Sequence, residues 1–74
     1  MGDAEDVEDV EVAGDGIRLG QLLKLAGLVG SGAEAKDVLA GGDVTVNGEA
    51  ETRRGRQLHR GDVVDAGGER VVVA

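Results

Sequence analysis

The sequence predicts an α+β domain in which two short helices come before a small, mostly antiparallel sheet. Apolar residues recur about every 3.6 positions between residues 19 and 39, and about every second position after residue 43. Pairs that contain glycine interrupt the later apolar runs and indicate tight turns. The 74 residues include no Phe, Tyr or Trp, so a single small core must consist of Val, Leu, Ile and Ala.

Each predicted helix has an apolar stripe and a definable end. The stripe of the first helix consists of Leu19, Leu22, Leu23 and Ala26. These positions share one helical face, and Gly27 is expected to end the helix. The second helix begins with a capping box, because Ser31 stands at the N-cap and Glu34 follows three residues later. Its stripe consists of Ala35, Val38 and Leu39, and it stops at Gly41 and Gly42.

The remaining sequence predicts strands joined by turns. In "DVTVNGEAE", Val44 and Val46 share one face of a strand. The pair Asn47-Gly48 that follows is a strong signal for a two-residue hairpin turn. Further turns are predicted at residues 61–62 and 67–68.

The acidic residues are concentrated at the N-terminus. Residues 1–16 carry seven acids and no base, whereas residues 17–74 carry eight acids and eight bases. The net charge of -7 therefore belongs to the first segment, and it says little about the partners of the remaining domain.

Two regions are predicted from this pattern. Residues 1–14 are expected to form a flexible acidic segment, because like charges repel each other and favour an extended chain. Val10 and Val12 alternate with acids, so a short edge strand near residues 10–13 is an alternative. Residues 15–74 are expected to form the folded domain.

The sequence argues against several classes of function. The chain has no Cys and a single His, His59, so neither a disulfide nor a structural zinc site is expected. "GSGAEA" fits a dinucleotide-binding pattern, but it follows a helix rather than a strand. We expect no catalytic residue, no metal and no cofactor. No apolar run approaches the roughly 20 residues of a membrane span, and the sequence predicts a cytoplasmic protein.

The candidate functional feature is the arginine segment, residues 52–62, with the sequence "TRRGRQLHRGD". Its cations are Arg53, Arg54, Arg56 and Arg60. A guanidinium group suits forked contacts with phosphate, and Gly55 allows the backbone to approach a ligand closely. Lys24 and Lys36 lie off the apolar helix stripes and extend the candidate surface. One alternative is a solvated loop whose arginines pair with neighbouring acids. A further hypothesis is that the acidic N-terminal segment folds back onto the arginines.

The order of these parts resembles the S-four-type RNA-binding domain, also called the alpha-L motif. The resemblance rests on "LLKL", "SGAEAK", "VNG", "TRRGR" and "GD" in sequence, and it covers residues 17–73. The similarity is greatest to the small stand-alone bacterial proteins of this type. It implies two helices packed on a small curved sheet. Many such domains have Arg after the helix-capping Ser, whereas this chain has Gly32.

The resemblance also implies a function, which is binding of structured RNA by a small non-catalytic protein. The implied RNA-binding residues are Lys24, Ser31, Lys36, Asn47, Arg53, Arg54, Arg56 and Arg60. The expected partner is ribosomal or tRNA-like RNA, with ribosome association, no membrane contact and a monomeric state. Without aromatic side chains, recognition is expected to depend on RNA shape and backbone. The alternative is an adaptor whose arginines bind an acidic protein, such as a ribosomal or replication factor.

Overall fold

The computed structural model describes residues 7–14 and 16–74, which contain two helices and seven short strands. The helices are α1, Leu19–Leu25, and α2, Gly32–Ala40. The strands are β1 Val7–Val10, β2 Ile17–Arg18, β3 Val44–Val46, β4 Glu49–Ala50, β5 Gln57–Leu58, β6 Val63–Ala66 and β7 Glu69–Val73.

Five of these strands form one sheet in the order β1-β7-β6-β3-β4, and β2 pairs with β5 separately. Every pairing is antiparallel except that of β1 with β7. The structure therefore confirms the predicted α+β class with a mostly antiparallel sheet.

Both helices form where the apolar stripes predict them. In α2 the Ser31 hydroxyl accepts a hydrogen bond from the Glu34 amide at 3.1 Å, which satisfies a donor that the helix leaves unpaired. Helix α1 passes into a turn at Gly27, whose φ of 76° is accessible to glycine at little cost. This turn brings α2 back against α1.

The predicted hairpin turn joins β3 to β4. Asn47 and Gly48 have φ values of 53° and 88°. Positive φ at both central positions is the conformation that matches the twist of a two-residue hairpin. The hairpin places β4, and the arginine segment that follows it, at one edge of the five-stranded sheet.

One apolar cluster joins the helices to the sheet. Its buried members are Val10, Leu19, Leu22, Leu23, Val29, Ala35, Leu39, Val44, Val46, Leu58, Val64, Ala66, Val71 and Val73. Alternate residues of β3, β6 and β7 contribute to it, as a sheet with one buried face requires. Burial of a Leu or Val side chain contributes about 1.5–3 kcal/mol, so this cluster fixes α1 and α2 relative to the strands.

The edge strand β1 begins earlier than the alternative prediction near residues 10–13. It spans Val7–Val10, and Val10, which is 8% exposed, lies opposite Val73 of β7. Burial of this valine explains the register. The part of the predicted flexible segment that comprises residues 1–6 lies outside the described residues. The two helices of the described part have seven and nine residues, and neither is long enough to cross a membrane.

Candidate nucleic-acid interface

The start of α1 is joined to the arginine loop, which we define as residues 52–56. The amides of Leu19 and Gly20 donate hydrogen bonds to the carbonyls of Arg56 and Arg54, both at 2.8 Å. These bonds satisfy amides at the helix start that have no partner within the helix. A Cβ atom at Gly20 would lie 3.2 Å from the Cβ of Arg54, so glycine allows the loop to lie directly on α1.

This contact creates a pocket of about 300 Å³ between the loop and the two helices. We call it the basic pocket, because Arg18, Lys24 and Arg54 line it. Within the described residues, none of these three side chains forms an ion pair. A Cβ atom at Gly32 would lie 3.9 Å from Arg54 Nη1, so this guanidinium lies beside the first residue of α2. The pocket thus concentrates positive charge that the described residues do not neutralise.

Arg18 lines the basic pocket, although the sequence prediction did not include it. Its Nη1 donates a hydrogen bond to the Gly55 carbonyl at 3.1 Å, and its side chain lines the basic pocket. A signal was present in the sequence, because Arg18 directly precedes a helix whose first turn has no acid. The start of a helix favours negative charge, so a cation there is unusual and points to another role.

Two of the predicted arginines pair with a buried carboxylate. Glu51 is 7% exposed, and its Oε2 and Oε1 lie 3.1 Å from Arg53 Nε and 2.9 Å from Arg56 Nη1. The Arg53 side chain nevertheless remains 75% exposed. The alternative in which arginines of the loop pair with neighbouring acids therefore holds for Arg53 and Arg56, while the Arg53 side chain stays largely exposed.

The arginines hold Glu51 in its ionised form. Side-chain hydrogen bonds from Arg53, and then from Arg56, lower the pKa of Glu51 from 4.5 to about 2. Because the folded-state pKa is the lower one, the charged carboxylate stabilises the fold fully above about pH 4.5. This contribution decreases as the pH falls from there towards about 2, so the pairs are intact at neutral pH.

Three further predicted residues have structural contacts. Ser31 caps α2. Asn47 donates to Asp62 at 3.1 Å and accepts from the Val63 amide at 2.9 Å, which ties the hairpin to β6. Arg60 donates to the Val12 carbonyl at 3.2 Å, next to the acidic strand β1.

The contacts divide the predicted residues into groups. Lys24 and Arg54 both line the basic pocket, whereas Arg53 and Arg56 belong to the same loop as Arg54 but pair with Glu51. Lys36 is exposed on α2. Arg60 and Asn47 are engaged by residues outside the pocket lining.

A second pocket of about 300 Å³ borders the same helix pair. We call it the acidic pocket, because its charged lining residues are Asp43 and Glu69. Its apolar lining comes from Leu23, Leu28, Val29, Val38 and Ala66. A phosphate group would meet like charge here, so the basic pocket is the better candidate for an anionic ligand.

Fold and site together define a small α+β domain with a cationic pocket where a helical pair meets the arginine loop. The model of the S4 domain family matches residues 10–74. This chain therefore belongs to the S4 domain family, which confirms the resemblance found in the sequence.

Similar proteins include small bacterial members of the family. The chain is 52% identical over 52 residues to a probable ribosome maturation protein, RlbA, of Bacillus subtilis, covering 70% of this chain and 73% of that protein. It is 42% identical over 57 residues to a putative RNA-binding protein, YbcJ, of Escherichia coli, covering 77% and 81%. The solution structure of YbcJ, described as revealing an alfaL motif involved in RNA-binding, has a TM-score of 0.67 and 33% identity, and covers 97% of this chain and 90% of that one. A tyrosine–tRNA ligase of Burkholderia lata is 36% identical over 66 residues, which is 89% of this chain but 16% of the ligase.

Proposed function

We propose that this protein is a non-catalytic RNA-binding protein whose basic pocket receives phosphate groups of a structured RNA. The observation that carries the proposal is the meeting of Arg18, Lys24 and Arg54 around one pocket without an ion pair in residues 7–14 and 16–74. Charge-assisted contacts of guanidinium and ammonium groups with phosphate are among the strong hydrogen bonds of proteins.

The shape of the pocket agrees with binding to a backbone rather than to stacked bases. The chain offers no aromatic ring on which an unpaired base would stack. Three glycines, Gly20, Gly32 and Gly55, line the pocket and leave room for a bulky phosphate chain. The exposed edge of Arg53 and the amine of Lys36 extend the proposed surface beyond the pocket.

The proposed target is ribosomal or tRNA-like RNA, bound by a monomer in the cytoplasm. The names of the similar proteins support this target, because they refer to ribosome maturation, RNA binding and tRNA. The ligase resembles this chain over only 16% of its length, so its catalytic activity gives no reason to propose an enzyme here.

Charge reversal in the basic pocket tests the proposal. The double variant Lys24→Glu/Arg54→Glu changes two side chains that make no hydrogen bond within the described residues. Hydrogen bonds to charged groups contribute about 1.5–3 kcal/mol each, so loss of two should weaken binding about 100-fold or more. Fluorescence anisotropy with a labelled tRNA transcript, and with a polyuridine strand of equal length, measures this loss and the preference for folded RNA.

The matched control is Arg60→Glu/Arg70→Glu, which makes the same change in net charge. Arg60 contacts Val12, and Arg70 pairs with Asp65 at 3.0 Å. We expect this control to retain binding within about threefold, since only screened long-range repulsion changes. Equal losses in both variants, with both proteins folded by circular dichroism, would show that the basic pocket is not the site and would favour the wider surface that includes Arg60.

A further inference from the structure

Glu51 is the buried charged residue of the described part of the chain, and it lies beside the proposed RNA-binding surface. It directly follows β4, and its amide donates to the Val44 carbonyl at 3.1 Å, which anchors it to the sheet. An acid among arginines opposes phosphate binding if only its charge is considered. Its hydrogen bonds point to a different role.

The Glu51 carboxylate accepts five hydrogen bonds from the arginine loop. Its Oε2 accepts from the amides of Thr52 and Arg53 at 3.1 and 3.0 Å, and from Arg53 Nε at 3.1 Å. Its Oε1 accepts from Arg53 Nη2 at 3.4 Å and from Arg56 Nη1 at 2.9 Å. One side chain therefore fixes the start of the loop through the backbone and its end through Arg56.

The loop fixed in this way determines where Arg54 lies. The carbonyls of Arg54 and Arg56 accept the first amides of α1, so the loop is held from both sides. Arg54 lies between these anchors and faces the basic pocket. A loop that is ordered before binding loses less conformational entropy when RNA binds.

We infer that Glu51 is a positioning residue, whose carboxylate holds the arginine loop so that Arg54 and the outer edge of Arg53 form a fixed phosphate-binding surface. This inference rests on the proposed function. It makes a prediction opposite to that of charge alone, because removal of this acid makes the surface more positive and yet weakens RNA binding.

The variant Glu51→Gln tests the inference against Glu49→Gln. Both changes remove one negative charge next to the loop, but Glu49 is exposed on β4 and accepts no hydrogen bond from the loop. Glu49→Gln should bind the tRNA transcript equally or about twofold more tightly, because one screened repulsion is lost. Glu51→Gln should bind about 10-fold more weakly, and Glu51→Asp, which keeps the charge, should restore part of the loss.

Amide hydrogen exchange distinguishes positioning from a change in net charge. In the free wild-type protein the amides of Thr52 and Arg53 should exchange slowly, and in Glu51→Gln they should exchange at least about 10-fold faster while the core amides keep their protection. If Glu51→Gln does not fold, the exchange rates of the Thr52 and Arg53 amides in the wild type test the inference. Fast exchange of both amides would show that the loop is not fixed before binding.

The outcomes separate the inference from the proposed function. If the wild type does not bind the transcript, the proposed function is wrong. If the wild type binds, and folded Glu51→Gln binds as tightly as Glu49→Gln, the proposed function stands and the positioning role of Glu51 is wrong.

Discussion

The basic and acidic pockets have the same volume, about 300 Å³, and both border the helix pair, but their charges are opposite. Arg18, Lys24 and Arg54 line the first, whereas Asp43 and Glu69 are the charged residues of the second. Pocket size therefore does not indicate which of them receives a phosphate. The difference lies in the charged side chains that β2, α1 and the arginine loop contribute to the first pocket and that Asp43 and β7 contribute to the second.

The comparison also shows why the net charge of -7 is a poor guide to the partner. Both pockets belong to the part of the chain whose acids and bases balance, and separation of charge within that part creates the cationic site. Charges interact over about 8 Å at physiological salt, so an RNA phosphate responds mainly to the residues around it.

The largest difference in RNA affinity between the two pockets is expected from single substitutions that remove one charge from each pocket. Arg54→Gln removes a proposed phosphate contact and should weaken binding of the tRNA transcript about 10-fold or more. Asp43→Asn removes an acid from the other pocket and should change the affinity by less than about twofold. Anisotropy titrations on both variants measure the ratio. Equal effects of the two variants would mean that the pockets do not differ in function.

The same two variants should also differ in the salt dependence of RNA binding, and this difference is expected to be smaller than the difference in affinity. If Arg18, Lys24, Arg53 and Arg54 each contact a phosphate, log K should fall with log salt at a slope of about -3. Arg54→Gln should reduce the magnitude of this slope by about 0.7–0.9, because one fewer counterion is released. Asp43→Asn should leave it unchanged. A flat salt response of the wild type would contradict phosphate binding altogether.

Much of the fold was predictable because it depends on local patterns. The period of the apolar residues predicted both helices, the capping box predicted the serine cap of α2, and the Asn47-Gly48 pair predicted the β3–β4 hairpin. For residues 1–14 the sequence favoured a flexible segment and offered an edge strand near residues 10–13 as an alternative, whereas β1 spans Val7–Val10. Alternating valines and acids fit more than one register. The buried contact of Val10 with the C-terminal strand selects the register, and that long-range contact leaves no local signal.

The site was less predictable than the fold for a similar reason. Residue type indicated the arginine segment, but spacing along the chain does not reveal that Arg53 and Arg56 share one carboxylate. Arg18 enters the pocket because β2 pairs with β5, a contact between residues 17–18 and 57–58. Composition thus reveals that the chain has cations, whereas tertiary pairing decides which of them line the basic pocket.

The smallest change in RNA affinity is expected when the acids at the N-terminal edge of the sheet are removed. Strand β1 lies four strand spacings from β4, which is about 19 Å at roughly 4.8 Å per spacing. This distance is about twice the screening length at physiological salt. The triple variant Glu8→Gln/Asp9→Asn/Glu11→Gln should therefore change affinity by less than about twofold at 0.15 M salt, although it removes three negative charges. Tightening of about 10-fold in the same titration would show that these acids compete with RNA for the arginines, as a segment folded onto the basic pocket would do.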